Sequence, residues 1–383
     1  MHKPISKNRL SKSVRAPCNL ARLAAVFALL LALAVIVMGA AGCGGDEGTT
    51  TTSGPAATAE SSTTTGAPIT TAPETTTTIS KLDKLTLVAP PGPMAIPPAY
   101  LAINDKLAGM AEETELVIWE NADQLRAIVA GGQGDLVTMP SNNAAIFYNR
   151  DLELKLLNIS VWNITYLVTS NPEAASFADI KGQSLVVSLQ GSVPDVMFQY
   201  IAEKEGLDPE KDFALQYVND PTQAAQLLLA GNVENAVLSE ALATAVLLQT
   251  ASAEKPLRKA FAFDKAWSQA TGTPEQPPIA GTVATATLFD KPEVIAAFER
   301  EYAAAVEWMV ANPEEAGQLV ETELPQLGLK APIMTASLKS ITWKHTPALE
   351  AWPSLEAFYT ALSELSPEVI GGALPDDGFY WAP

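Results

Sequence analysis

The 383-residue sequence is poor in the side chains that bind metal ions or act as nucleophiles. It contains two cysteines, Cys18 and Cys43, and two histidines, His2 and His345. Both cysteines lie near the N-terminus, so the long region that follows them can form no internal disulfide. One histidine in that region cannot build the multi-histidine zinc site of a metalloenzyme, and we predict no metal site.

The sequence also lacks the short motifs of common enzyme classes. There is no Walker A sequence, no G-x-S-x-G nucleophile turn and no H-E-x-x-H zinc motif. These absences argue against nucleotide hydrolysis, serine hydrolysis and zinc peptidase chemistry. We therefore predict a protein that is not an enzyme and that needs no cofactor.

Positive charge is scarce relative to negative charge. The chain has 24 lysines and arginines against 43 aspartates and glutamates, which gives a formal net charge of −19. Six of the cations fall within residues 1–42, which contain no acid, so the rest of the chain carries a net charge of −25. An acidic surface of this kind disfavours nucleic acid and anionic lipid, and we expect neither as a binding partner.

The N-terminal segment has the order of a secretory signal. Its cations precede an apolar run, Leu23 to Met38, and small residues then lead to Cys43. Cys43 directly after Ala-Ala-Gly resembles the lipobox of bacterial lipoproteins, in which the cysteine is acylated; Ala40 stands where the lipobox usually has leucine. We predict a signal peptide over residues 1–42 and a lipid anchor on Cys43, at the extracytoplasmic face of the cell membrane. The alternative is an uncleaved signal anchor, because about 20 apolar residues can span a bilayer.

Residues 43–80 form a predicted tether. After Cys43 the segment consists mainly of Thr, Ser, Ala, Pro and Gly, and its large apolar residues are Ile69 and Ile79. Such a segment buries too little apolar surface to offset the entropy of ordering, so we predict disorder. A flexible coil of this length reaches roughly 30 Å, which would hold a folded domain clear of a membrane.

A duplicated α/β unit follows. From Leu85 onward, short β-branched runs alternate with amphipathic helical stretches, which is typical of an α/β sheet. The order recurs at an offset of 99 residues, so that Val88 and Gly92 correspond to Val187 and Gly191. The duplication predicts two similar lobes.

Two facing lobes of this kind would enclose a cleft. Ligands of open α/β sheets bind beyond the carboxyl ends of the strands, where helix N-termini present backbone N–H groups. We expect four loops to line the cleft, at residues 90–94, 140–143, 190–193 and 238–240.

Three motifs make the sequence recognisable. The run from Ala178 to Val187, with Gln190-Gly191-Ser192 after it, resembles the DLKGK-x-V…GS signature of NitT/TauT-type solute-binding proteins of ABC transporters. The turns at residues 130–136 and 229–236 resemble two copies of that family's xxGxxD turn. The resemblance covers roughly residues 84–323. It implies a two-lobed α/β fold of type II, like that of periplasmic binding proteins, with the ligand cleft between the lobes.

The resemblance also implies a role and a division of the chain. It implies a monomer that captures a small polar molecule and delivers it to the permease and ATPase of an ABC importer. We expect lobe 1 over residues 81–168 and 279–383 and lobe 2 over residues 169–278, with the first crossover at Val168 to Asn171. One alternative is an extracytoplasmic sensor lipoprotein. Another is a pyrimidine-forming enzyme of the same fold, which consumes a histidine and needs cysteine-linked iron, residues that this chain lacks.

By position, the resemblance implies ten ligand-site residues. They are Pro91, Gly92, Pro93, Ser141 and Asn142 in the first lobe, Trp162 and Asn163 before the crossover, and Gly191, Ser192 and Glu240 in the second lobe. Each type has a structural alternative. The glycines could serve turn geometry alone, the serines could cap helices, the tryptophan could be a core side chain and the glutamate a solvated acid.

The expected loops also bear on the ligand. None of them contains Arg or Lys. Helix N-termini can hold an oxyanion without a cation, but a sulfonate or nitrate site would be more favourable with a cationic side chain. Glu240 instead favours a ligand that donates hydrogen bonds or carries positive charge. We therefore expect a neutral or cationic nitrogen compound, such as an aminopyrimidine, rather than a simple anion.

Overall fold

Strands and helices alternate in the first part of the folded chain, as the hydrophobic pattern predicts. The computed structural model describes residues 80–272, 274 and 276–383, so the predicted signal peptide, Cys43 and the tether up to Ile79 lie outside the described residues. Up to the first crossover the elements are β1 (Leu82–Ala89), α1 (Ile96–Ile103), β2 (Ala111–Ile118), α2 (Ala122–Ala130), β3 (Leu136–Pro140), α3 (Ser141–Tyr148) and β4 (Leu154–Asn163).

The second part repeats this alternation. Its elements are β5 (Thr165–Thr169), β6 (Ser184–Ser188), α4 (Val193–Lys204), β7 (Ala214–Val218), α5 (Pro221–Leu229), β8 (Asn235–Ser239), α6 (Glu240–Thr250), β9 (Arg258–Ala262) and α7 (Phe263–Thr271).

The C-terminal part adds two strands and four helices. They are β10 (Ala280–Thr285), α8 (Pro292–Ala311), α9 (Pro313–Glu323), α10 (Ala331–Leu338), β11 (Thr342–Pro347) and α11 (Ala348–Leu365). The described residues all fall in the compact unit Glu74–Pro383. Among them, no helix combines the length and the apolar character needed to cross a bilayer.

Two mixed sheets carry these elements. The first has the strand order β11-β4-β10-β3-β1-β2 and the second has the order β7-β6-β8-β5-β9. Each sheet has three neighbouring parallel strands and then continues through antiparallel strands, which are β10, β4 and β11 in the first sheet and β5 and β9 in the second. The α/β class and the two lobes predicted from the sequence are confirmed.

The predicted duplication is confirmed, and the offset of 99 holds for two pairs of elements, while β1 and β6 differ by 98, because Leu87 pairs with Leu136 and Leu185 with Asn235. The helices α2 and α5 span residues 122–130 and 221–229, which differ by 99 at both ends. The strands β3 and β8 span residues 136–140 and 235–239, with the same offset. The pattern predicted this register because both repeats keep the same spacing between apolar strand positions and glycine turns.

The acid of each xxGxxD-like turn fastens two strands of its sheet. Asp135 Oδ2 accepts a hydrogen bond from the backbone N–H of Thr86 at 2.7 Å. In the second repeat, Glu234 Oε2 accepts one from the N–H of Ser184 at 2.9 Å. The acid precedes the third strand of each repeat and bonds to the first strand, so the motif serves sheet assembly.

The chain leaves the first sheet earlier than the sequence indicates. β4 ends at Asn163 in the first sheet, and β5 begins at Thr165 in the second sheet, so the crossover lies at Ile164 and not at Val168 to Asn171. The apolar and β-branched run from β4 into β5 contains no glycine or proline. Nothing in the local sequence therefore marks the change of sheet.

The C-terminal elements pack on both halves. Tyr100 of α1 stacks on Trp308 of α8, with ring centroids 3.9 Å apart. Trp267 of α7 meets Phe358 of α11 edge-on, with centroids 5.2 Å apart. The long helix α11 therefore contacts the second half of the fold as well as the first.

Candidate functional site

The carboxyl ends of the central parallel strands in both sheets lie at the first crossover. In the first sheet, Pro140 at the end of β3 pairs with Ala280 at the start of β10, which also pairs with the end of β4. In the second sheet, Ser239 at the end of β8 pairs with Thr165 at the start of β5. Since β4 continues into β5 through Ile164, the two carboxyl edges meet here. Open α/β sheets bind ligands at such edges.

The turn of residues 91–93 joins β1 to α1. Gly92 has φ 106°, a conformation that side chains with a Cβ rarely adopt, and its missing Cβ would point into open space. Pro93 is buried and Pro91 is exposed. Turn geometry therefore requires the glycine, and contact of this turn with a ligand stays a prediction.

Ser141 and Asn142 occupy the first turn of α3, and neither is its N-cap residue. The hydroxyl of Ser141 donates to the carbonyl of Pro278 at 2.5 Å, and its N–H donates to the carbonyl of Ile279 at 2.9 Å. The Asn142 amide donates to the carbonyl of Val369 at 3.1 Å. The alternative that Ser141 caps its helix is wrong, since its hydroxyl binds the segment that returns to the first sheet.

Trp162 and Asn163 are buried at the end of β4. The indole N–H of Trp162 donates to the carbonyl of Lys344 at 2.9 Å. The Asn163 amide donates to the Tyr166 hydroxyl at 2.9 Å, and its oxygen accepts from the N–H of Thr165 at 3.3 Å. The polar groups of both residues are thus engaged within the protein, which fits a core role for Trp162.

Glu240 is fully buried at the start of α6, so the alternative of a solvated acid is wrong. Lys259 Nζ lies 2.6 Å from each carboxylate oxygen, and the Thr244 hydroxyl donates to the same carboxylate. Burial raises the pKa of the Glu240 carboxyl, while Lys259 and Thr244 act in the opposite direction. Because Lys259 neutralises it, Glu240 offers no free charge, and the argument that it favours a cationic ligand no longer holds.

Gly191 and Ser192 lie in the turn between β6 and α4. Gly191 has φ 76°, and its N–H donates to Asp195 Oδ2 at 2.8 Å. Its missing Cβ would meet nothing within 4 Å, so a larger residue would strain the backbone here without a steric clash. Ser192 is the N-cap residue of α4, but its hydroxyl donates to the carbonyl of Ser188 at 3.3 Å and does not cap the helix.

The helices of the two repeats differ in how their N-termini are capped. Asn121 caps α2 by accepting from the N–H of Gln124, and Asp220 caps α5 by accepting from the N–H of Thr222. These helices follow the edge strands β2 and β7. The helix α1, which follows β1, lacks a side-chain cap, but its Ile96 N–H donates to the carbonyl of Pro93, and Pro97 and Pro98 have no N–H. The helices α3, α4 and α6, which follow the inner strands β3, β6 and β8, also have no side-chain cap. Helix ends of this kind bind polar ligand groups.

A network that sequence reasoning missed surrounds Glu240. Lys259 donates to the Ser340 hydroxyl at 2.9 Å and lies 4.5 Å from the centre of the Tyr166 ring. Tyr166 donates to the Ser340 carbonyl at 2.5 Å. These contacts link β5 and β9 of the second sheet to the turn between α10 and β11. A single lysine in a five-residue strand gave no periodic signal that could have revealed its partner.

Six of the ten predicted residues fall into two groups. Glu240 donates its N–H to the carbonyl of Ile164 at 2.8 Å, and Ile279, which binds Ser141, donates its N–H to the carbonyl of Val161 at 2.9 Å. The structure thus gathers Ser141, Trp162, Asn163 and Glu240 around the crossover. Gly191 and Ser192 lie at the same sheet edge, and no described hydrogen bond joins them to the first group.

The fold and this edge define a class of protein: a two-lobed α/β fold of the type II periplasmic binding proteins. The chain belongs to the NMT1/THI5-like family, whose model matches residues 111–316, more than half of the chain. The predicted resemblance to NitT/TauT-type binding proteins is confirmed by this family and by solved structures. No curated protein sequence matches the chain.

Three similar solved structures have low sequence identity and support the fold. An ABC transporter protein from Parabacteroides distasonis is 23% identical, with a TM-score of 0.65, over 78% of this chain and 99% of that one. The aliphatic sulphonate binding protein SsuA from Escherichia coli is 17% identical, with a TM-score of 0.60, over 79% and 93%. The nitrate-binding protein NrtA from Synechocystis PCC 6803 is 15% identical, with a TM-score of 0.53, over 76% and 85%.

Proposed function

We propose that this protein is the extracytoplasmic solute-binding component of an ABC importer. It captures a small polar molecule between its two lobes and delivers it to a permease and its ATPase. The observation that carries the proposal is the set of three helix N-termini, those of α3, α4 and α6, without side-chain caps at the edge where the two sheets meet. The family and the named functions of the solved relatives support it.

The proposed division of the chain follows the sheets. Lobe 1 consists of the residues before the Ile164 crossover together with those from 279 onward, and lobe 2 consists of the residues between them. Ligand binding would bridge the lobes and shift an open–closed equilibrium toward the closed form, which the permease recognises. In this scheme the protein acts as a monomer and carries out no reaction.

The proposed ligand is polar and has no net negative charge. The expected cleft loops contain no Arg or Lys, and Lys259 is already engaged by Glu240, Thr244 and Ser340. A simple anion would therefore meet helix ends and no free cation. Because two solved relatives are named for sulphonate and nitrate, the experiment should compare these two anions with an aminopyrimidine.

The proposed attachment to the membrane is a lipid on Cys43, after removal of residues 1–42. The support is the order of cations, apolar run, small residues and cysteine in the sequence. A Thr-rich tether would then leave the two lobes free to meet both solute and permease.

Native mass spectrometry of the purified protein tests the proposal directly. A small molecule that co-purifies, and that is lost on partial unfolding, is the expected result. Thermal unfolding with ethanesulfonate, nitrate and 4-aminopyrimidine then tests the ligand class. A ligand at a hundred times its Kd stabilises the folded state by about 2.7 kcal/mol, a shift of several degrees at most. The function is contradicted if a broad metabolite screen gives no binding, and the charge preference if only the anions raise the Tm.

A further inference from the structure

Asp195 is a buried acid that is not among the ten predicted ligand-site residues. It lies in the first turn of α4 and is fully buried. Its two carboxylate oxygens each accept one hydrogen bond: Oδ2 from the N–H of Gly191 at 2.8 Å and Oδ1 from the hydroxyl of Tyr217 at 2.9 Å. Both donors are neutral, and the ion pairs described in this half of the fold engage other carboxylates.

The turn that Asp195 holds has an unfavourable backbone. Leu189 has φ 57° and Gly191 has φ 76°, and Leu189 is nearly half exposed, so little packing holds it. The turn is closed by a hydrogen bond from the N–H of Ser192 to the carbonyl of Leu189 at 2.9 Å. A non-glycine residue in the left-handed region persists only where its surroundings enforce it. Two bonds can do so: the one from the Leu189 N–H to the carbonyl of Val218 at 2.8 Å, and the Gly191–Asp195 bond, which is the one that a side chain accepts.

The equivalent turn of the first repeat has apolar residues in place of this acid and its tyrosine. At the offset of 99 residues, Asp195 corresponds to Ile96 and Tyr217 corresponds to Ile118. Ile96 is fully buried and packs in one apolar cluster with Ile118. Burying a carboxylate costs free energy that burying an isoleucine does not. The second repeat thus keeps a costly polar pair at the turn where Leu189 is left-handed, whereas the first repeat has an apolar pair and has Pro90, without a positive φ, in place of Leu189.

We propose that Asp195 is a positioning residue for ligand capture. It fixes the Leu189–Ser192 turn in the shape that directs the N-terminus of α4 toward the cleft, and Tyr217 holds the carboxylate in place. The proposal rests on the proposed function, because this turn contacts a ligand only if the cleft binds one. It predicts that loss of the acid loosens the turn before it loosens the rest of the lobe.

The test compares two aspartate-to-alanine changes in the same lobe. Asp195→Ala removes both hydrogen-bond acceptors of the turn, whereas Asp220→Ala removes the cap of α5 and leaves the turn intact. Hydrogen exchange measured by mass spectrometry should be at least about tenfold faster across residues 189–193 in the Asp195 variant only. Asp195→Asn should restore slow exchange, because its amide can accept from Gly191 and donate to the Tyr217 oxygen. Equal exchange of the turn in both alanine variants overturns the proposal.

Measurements of ligand binding distinguish a failure of this inference from a failure of the proposed function on which it rests. The probes are ethanesulfonate, nitrate and 4-aminopyrimidine, measured by calorimetry on the full-length protein and both variants. For any probe that the unsubstituted protein binds, Asp195→Ala should raise the Kd at least about fivefold, and Asp220→Ala should leave it unchanged. An unchanged Kd in the Asp195 variant overturns the positioning role. If no probe binds, the ligand class fails and the exchange result alone decides the inference. If Asp195→Ala does not fold, Tyr217→Phe takes its place and should give a smaller increase in exchange at the same turn.

Discussion

The two repeats share one backbone plan and differ in what fills it. The turn after β1 is supported by Ile96 and Ile118, which pack in an apolar cluster. The turn after β6 is supported by Asp195, with Tyr217 bonded to it. Both turns contain a glycine with positive φ at the same position of the repeat. Only the second turn also has a left-handed residue other than glycine, Leu189, where the first repeat has Pro90, so the polar support accompanies the more strained backbone.

A second difference concerns volume. Gly134 of the first repeat corresponds to Val233 of the second, and Val137 corresponds to Ala236. All four positions are close to β3 or β8, and Val137, Val233 and Ala236 are buried. One repeat thus has a small residue followed by a large one, and the other has the reverse order. Cores tolerate such exchanges when the total volume is kept.

The largest expected effect comes from moving the acid into the apolar turn. Ile96→Asp places a carboxylate in a fully buried position, where Ile118 stands in place of the second repeat's Tyr217. A buried charge without a partner destabilises a protein by about 3–5 kcal/mol, and urea unfolding should measure a loss of this size. Adding Ile118→Tyr should restore about 1 kcal/mol or more through one hydrogen bond. If the double variant is no more stable than Ile96→Asp alone, the tyrosine does not support the acid and the comparison between the two supports fails.

The next largest effect on stability is expected when the small and large side chains at positions 134 and 137 are exchanged. A Cβ on Gly134 would lie 2.6 Å from Val88 Cγ2 and 3.2 Å from Ile128 Cγ2, so Gly134→Val overfills the space. Overpacking of this kind costs about 1–3 kcal/mol. The matched change Val137→Ala reproduces the second repeat, because a Cβ on Gly134 would also lie 3.3 Å from Val137 Cγ2. A double-mutant cycle should therefore give a favourable coupling energy, and simple additivity would contradict the volume argument.

The sequence predicted most of the repeat and little of what joins its parts. The elements α2, β3, α5 and β8 follow from local periodicity and glycine turns, which a single chain displays. The support of Gly191 depends on Tyr217, a residue of the next strand, and the neutralisation of Glu240 depends on Lys259 on an edge strand. Pairings between separate elements leave no periodic trace in one sequence. The candidate loops were therefore placed correctly at the sheet edge, while the state of charge at Glu240 was not predictable.

The smallest expected effect concerns the helix ends. Asp220 accepts from the N–H of Thr222 at 2.7 Å, so Asp220→Ala removes a true cap and should cost about 1 kcal/mol in the free energy of unfolding. Ser192 has the same N-cap position on α4, but its hydroxyl bonds to the carbonyl of Ser188 instead. Ser192→Ala should therefore change the stability by less than about 0.5 kcal/mol, as surface changes usually do.

Chemical unfolding of both variants measures the difference between a helix end closed by its own side chain and one left open. An equal loss in the two variants would mean that Ser192 caps α4 in solution, and α4 would then present one fewer free N–H group to a ligand. If Asp220→Ala loses more stability than Ser192→Ala, as expected, Ser192→Ala can also be used to test ligand binding. The open helix end and the hydroxyl beside it would then affect the Kd without affecting the fold.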